Sequence, residues 1–239
     1  MQNRHYNAQQ NHKGMIARGS ATAPISGSAT KVLRNTYTLL AMTLMFSAVM
    51  AAVSMSIGLS QGASLVCSLG ALALVWLVLP RTANSSAGIA VVFAFTGLLG
   101  LSLGPILLYY LQFSNGGQIV TQALGGTALV FFALSGYVLT TKKDFSFMRG
   151  MLVAGLVVVL VAALGSIVAA MFGVETTAFS LAISAAIVFL MSGFILYDTS
   201  RIVNGGETNY ILATTGLYLN IYNLFVSLLH IIGAFSGND

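Results

Sequence analysis

The charged residues of this chain fall in a few tight groups, and the gaps between them constrain the fold. Uncharged runs cover residues 35 to 80, 82 to 141, 150 to 174, 176 to 197 and 208 to 238. A helix needs about 20 apolar residues to cross about 30 Å of hydrocarbon. The two longest runs therefore each hold two spans and the other three hold one apiece. Seven spans follow, expected near 36 to 58, 62 to 79, 88 to 111, 121 to 140, 149 to 172, 179 to 200 and 210 to 235. Only 6% of the 239 residues are charged and 57% are hydrophobic, against roughly 25% charge in soluble domains, which excludes a water-soluble fold. A membrane barrel is excluded as well, since its strands would alternate apolar and polar residues over about ten positions. The fold class is all-α, a seven-helix transmembrane bundle.

Orientation follows from the ten Lys and Arg residues. Arg4, Lys13, Arg18, Lys31 and Arg34 precede the first span, Arg81 lies in the second connection, Lys142, Lys143 and Arg149 in the fourth, and Arg201 in the sixth. All ten share one side, which the positive-inside rule assigns to the cytoplasm, so the N-terminus is expected inside and the C-terminus outside. The net charge of +5 is thereby a topological signal and gives no reason to propose nucleic acid as a partner; the expected surroundings are membrane lipid.

Residues 1 to 30 are polar, small or basic, with no acid and little that could form a core. They are expected to be a disordered cytoplasmic tail ahead of a transmembrane domain at 31 to 239. Extended, such a tail reaches at most about 100 Å. It serves either as a solvated leader resting on anionic lipid or as a handle that another machine grips. The first 35 residues lack an apolar stretch, so no secretory signal is expected. Cys67 is the only cysteine, which rules out an intrachain disulfide.

In the third span Gly100 and Gly104 form a GxxxG pair that lets a neighbouring backbone come close, and Pro105 is expected to bend or break that helix. The fourth span carries Gln122, Gly125, Gly126, Thr127, Ser135 and Gly136, read as packing contacts. No internal repeat supports an inverted-repeat transporter.

Most of the rare polar chemistry lies in the last two spans, folded back on each other at Asn204-Gly205-Gly206. Gly216, Asn220, Asn223, Ser227 and His230 recur at spacings of four, three, four and three, one face of a helix. Unpaired amides in hydrocarbon cost a few kcal/mol, so this stripe is expected to face protein and the last helix to be central. Asp198 stands near the inner end of the sixth span, with Arg201 three residues on and Glu207 opening the last segment. Arg201 suits the negative end of a helix dipole and Glu207 the positive end, whereas Asp198 opposes it. Two readings of Asp198 stand at this point. It forms an interfacial ion pair with Arg201, or it is a cation or proton site with Asn220 or Asn223 beside it.

Catalysis finds no template. There is no H-E-x-x-H, and His5, His12 and His230 are scattered, so neither a metal nor another cofactor is expected. Ser135-Gly136 and Ser192-Gly193 lack the preceding glycine of a G-x-S-G nucleophile, and one intramembrane Asp cannot supply a two-carboxylate protease. The chain reads as a non-enzyme.

LYDTSRIVNGGETNYILAT at 196 to 214 and LYLNIYNLFVSLLHIIG at 217 to 233 resemble the signature of the Bax-inhibitor (transmembrane Bax inhibitor motif) family. KVLRNTY at 31 to 37, FAFTGLLGLSLGPIL at 93 to 107 and ALGGTALVFFALSGYVLTTKKDFSF at 123 to 147 resemble its proteobacterial YccA branch. The resemblance implies six helices around a central seventh, in a bacterial inner membrane with the N-terminus cytoplasmic and the C-terminus periplasmic. For that branch it implies an inhibitor and slow substrate of the ATP-dependent membrane protease FtsH, with the HflK/HflC complex as a further partner and the tail as the point of initiation. Other members are proposed to be pH-sensitive Ca2+ leaks gated by two aspartates that share a proton. Asp198 matches the first of these, but Asn220 stands where the second would be, in LYLN rather than LYLD. An amide has no charge to titrate, so a shared-proton switch does not carry over, although Asn220 can donate a hydrogen bond to ionised Asp198. The reading at this stage is a non-enzymatic modulator of FtsH; the alternative is a calcium or other cation leak with altered pH gating.

Overall fold

The computed structural model describes residues 27–236, and each of the seven expected spans is a helix. They are α1 (Gly27–Ser56), α2 (Gln61–Thr82), α3 (Ala87–Leu111), α4 (Gly116–Thr141), α5 (Arg149–Met171), α6 (Thr177–Val203) and α7 (Tyr210–Ser236). No strand occurs among the described residues. Most of the expected tail, residues 1 to 26, lies outside them. Its last four residues, Gly27 to Thr30, instead form the first turn of α1. With 30 residues that helix is about 45 Å long and outruns the hydrocarbon.

Two prolines shape their helices differently. In α2 the turn before Pro80 widens to a π-helical stretch at Leu74–Val78. This makes room for a ring that would otherwise strike the carbonyl four residues back. Pro105 was expected to bend or break α3, yet the helix runs from Ala87 to Leu111 without interruption. The reason lies on α1. Pro105 has no N–H for the Leu101 carbonyl, and Ser54 Oγ donates to that carbonyl instead, at 2.7 Å. Ser54 gets close because Gly104 has no side chain; a Cβ there would overlap the Ser54 hydroxyl. One turn away, a Cβ at Gly100 would overlap the Ser47 carbonyl. The GxxxG pair thus does what its spacing implies, and α1 against α3 is the most extensive helix contact in the bundle. On α4 the small residues divide. Ser135 is buried, whereas Gly125 and Gly136 face open space.

The last helix is central, as its polar stripe suggested, but it shares the centre with α3. Helix α7 packs on α1, α3, α4 and α6, while α2 packs only on α3 and α5 only on α6. These two outer helices turn Leu65, Val66, Leu69 and Trp76, and Val157, Val158, Val161 and Leu164, outward. In hydrocarbon this is the low-cost face. Buried Phe95 and Tyr218 meet edge-on at 5.5 Å where α3 crosses α7.

Ser54→Ala should lower stability by about 1 kcal/mol, the size of an interhelical hydrogen bond in a membrane protein. Gly104→Ala should cost more, about 1–3 kcal/mol, because it forces α1 and α3 apart. Thermal unfolding in detergent micelles checks both, and two unchanged melting temperatures would contradict this account of Pro105.

Candidate functional site

The turn between α6 and α7 is built by its own residues. Gly205 has φ +75°, a left-handed conformation that only glycine adopts without penalty. It lets the Gly206 N–H reach back to the Arg201 carbonyl at 2.7 Å, closing α6 in a Schellman arrangement. Asn209 then caps α7, its Oδ1 accepting from Ile211 N at 2.9 Å and Leu212 N at 3.3 Å, as an N-cap side chain does. The Asn209 amide nitrogen donates to the Ala83 carbonyl and to Asn84 Oδ1, at 2.9 and 2.8 Å. The turn is thereby stitched to the loop between α2 and α3. A second stitch joins α6 to the loop before α5, where the Phe145 N–H donates to Ser200 Oγ at 2.9 Å. In that loop the backbone N–H and hydroxyl of Ser146 hold the Asp144 carboxyl below the usual carboxylate range.

Inside this frame the sixth and seventh helices meet through their polar groups. Asn220 Nδ2 donates to Asp198 Oδ2 at 2.7 Å, and Asn220 is 6% exposed. The two residues lie about 7 and 15 Å from the ends of their helices, so offset or tilt between α6 and α7 brings them level. Gly216 completes the contact, since a Cβ there would stand 3.1 Å from Asp198 Oδ2. Arg201 forms its ion pair elsewhere than with Asp198. Its Nη2 pairs with Glu207 Oε2 at 3.1 Å and donates to the Gly206 carbonyl at 3.2 Å, while its guanidinium lies 5.6 Å from the Tyr197 ring centre. The ion pair between Asp198 and Arg201 is therefore replaced by one across the turn. Folding back presents a second carboxylate to the arginine, and Asn220 already occupies Asp198. A cavity of about 30 Å³ touches Asp198, Arg201, Glu207 and Gly216. The cavity is also lined by Ile202, Leu212 and Ala213, and the carboxyl beside it is a group that can bind or release a proton. No group of three metal-ligating side chains occurs among the described residues.

Asn223 departs from expectation. It is exposed, it does not join Asp198, and its amide donates to the Leu219 carbonyl in its own helix at 2.8 Å. The helix face carrying it opens into a gap, because neither α2 nor α3 touches α6. The rest of the stripe is covered or paired. Ser227 is buried, and His230 Nδ1 lies 2.8 Å from Ser184 Oγ on α6.

Sequence reasoning missed a second set of polar contacts, the tyrosines of α7. Tyr218 OH lies 2.6 Å from Ser47 Oγ of α1, and Tyr222 OH lies 3.0 Å from Ser102 Oγ of α3. Two phenols four residues apart in an apolar span were the available signal, because a buried hydroxyl in lipid has to find a partner. Ser135 and Thr199 make a similar link, at 3.3 Å, between α4 and α6.

A family model described as "Inhibitor of apoptosis-promoting Bax1" matches residues 29–237. The chain belongs to the Bax-inhibitor family. Within that family it is 52% identical over 209 residues to an "uncharacterized membrane protein" of Vibrio cholerae, covering 87% of this chain and 92% of the relative. It is 50% identical over 212 residues to "Modulator of FtsH protease YccA" of Escherichia coli, covering 89% and 93%. A protein of another strain of that species, called "Inner membrane protein YccA", matches to the same extent. With seven helices apolar enough to cross a membrane, this Bax-inhibitor family member is a multi-pass inner-membrane protein.

Asn220→Leu should destabilise the protein by about 1–3 kcal/mol by leaving Asp198 unpaired, and replacing Asp198 by Leu as well should recover part of that loss. Thermal unfolding of both variants in the same detergent tests the coupling, and strictly additive losses would refute it.

Proposed function

We propose that this protein is a non-enzymatic modulator of a membrane ATP-dependent protease of the FtsH type. It restrains degradation of other membrane substrates while being itself degraded slowly. The observation that carries the reading is 50% identity over 89% of the chain to a protein named a modulator of that protease. The lack of a catalytic template in the sequence supports a role by binding. In this reading the Lys and Arg residues face the cytoplasm, the C-terminus is periplasmic, and the HflK/HflC complex shares the partner. The acid-free leader then lies on the side where an ATP-driven unfoldase works. Removing residues 1 to 26 leaves α1 whole. It should lengthen the protein's half-life in cells at least about threefold, to judge by the range over which exposure of a degradable state changes abundance. Turnover is followed by pulse-chase, and an unchanged half-life would sink the handle.

A second reading rests on the contact between Asp198 and Asn220. A carboxylate inside a span is a functional-site hypothesis by default, and here it opens onto a small cavity. In this reading the protein leaks cations such as Ca2+ past Asp198. Flux into liposomes should then vanish in Asp198→Asn. Asn220→Asp should add a pH dependence by setting a second ionisable group against the first. No flux from the unaltered protein at any pH would remove this reading and leave the modulator reading standing.

A further inference from the structure

Asn223 is the middle residue of α7, thirteen positions from Tyr210 and thirteen from Ser236. That places its amide about 20 Å from either end of the helix, near the centre of a hydrocarbon layer about 30 Å thick. It is exposed and stands in a cleft of about 200 Å³ whose walls include Ser68, Leu72 and Val75 of α2 and Leu99 of α3. One amide hydrogen is used by Leu219 O, and among the described residues Oδ1 accepts nothing. The other polar groups nearby are committed within the protein. Ser68 Oγ donates to Ser64 O, and the Tyr222 hydroxyl meets Ser102.

A carbonyl oxygen and an amide hydrogen thus face outward at the depth where lipid offers neither donor nor acceptor. Headgroups lie too far away, and acyl chains have no polar atoms. The backbone of a passing helix is already bonded to itself. A polar side chain on another transmembrane helix, laid over the cleft that α2, α3 and α7 line, would satisfy the amide at that depth. Amides, hydroxyls and imidazoles join membrane helices in this way. The cleft has room for a side chain rather than a helix, so the partner helix lies across its mouth and projects one group inward.

We propose that this cleft is the docking surface for a transmembrane helix of the protease, which pairs a hydrogen-bonding side chain with Asn223 midway across the bilayer. The inference rests on the modulator reading and names the contact through which that reading operates. It also assigns Asn223 a role separate from Asp198.

The test uses the full-length protein in cells that contain the protease. A photo-crosslinking residue at position 72 should capture the protease, and one at position 129, on the outer face of α4, should not. In co-purification from mild detergent, Asn223→Leu should reduce recovery of the protease about three- to thirtyfold, the range set by one interhelical hydrogen bond in a membrane. Asn223→Gln should keep most of it. Since the leucine removes a polar atom from lipid, its thermal stability should not fall, which separates lost docking from lost folding. Should the unaltered protein fail to recover the protease, the modulator reading itself falls. Should it succeed equally well with Asn223→Leu, the docking inference falls and the modulator reading stands. Crosslinks from position 72 only to lipid, or only to a second copy of this chain, would also overturn the inference.

Discussion

Between acyl chains there is no water to finish a hydrogen bond, so each polar group in this bundle depends on another helix or on its own for a partner. That constraint organises the packing more than apolar contact does, because lipid is as hospitable to leucine as protein is. Ser47 with Tyr218, Ser102 with Tyr222, Ser135 with Thr199 and Ser184 with His230 join pairs of helices at successive depths. Each pair fixes rotation as well as distance, since a turned helix would strand a hydroxyl in hydrocarbon. The buried hydroxyls of Thr36 and Tyr37 have no hydrogen-bond partner, and both belong to the N-terminal half of α1.

Sequence alone made the seven spans legible because charge is so costly in lipid that its placement marks most helix ends, and the two longest uncharged runs divide by the length a span needs. Helix limits were less clear where nothing in the chain forces a stop. Gly27 to Thr30 are small or polar, yet they join α1, since no proline interrupts them. The contact between Asp198 and Asn220 was one of several outcomes open to periodicity, and the exposed position of Asn223 was not legible. A stripe at helical spacing shows which residues share a face, but how far neighbours cover that face depends on how helices distant in the chain pack. The Arg201 pairing was hidden for a similar reason. Three-residue spacing favoured Asp198, whereas the tight turn at Gly205 brought Glu207 within reach.

The end of the bundle that carries the turn between α6 and α7 is tied differently from its middle. Asn209 joins the turn before α7 to the loop before α3, and Ser200 joins α6 to the loop before α5. Three connections are thereby locked around the C-terminal end of α6 and the N-terminal end of α7. Asp198 and Asn220 sit above this floor, and the cleft at Asn223 lies about one helical turn further along α7 and opens sideways. A change at the cleft need not disturb the carboxylate, and the two can serve separate ends.

The bond from Ser54 to the Leu101 carbonyl also bears on how the chain enters the bilayer. During synthesis α1 is in place before α3 emerges, and α3 arrives with one main-chain acceptor that its own proline has left bare. Docking against α1 relieves that defect, so the earlier helix supplies the donor that the later one lacks. Helix α2, which touches only α3, is then a tether between these two, carried to the outside of the assembly by the partnership of the helices it connects.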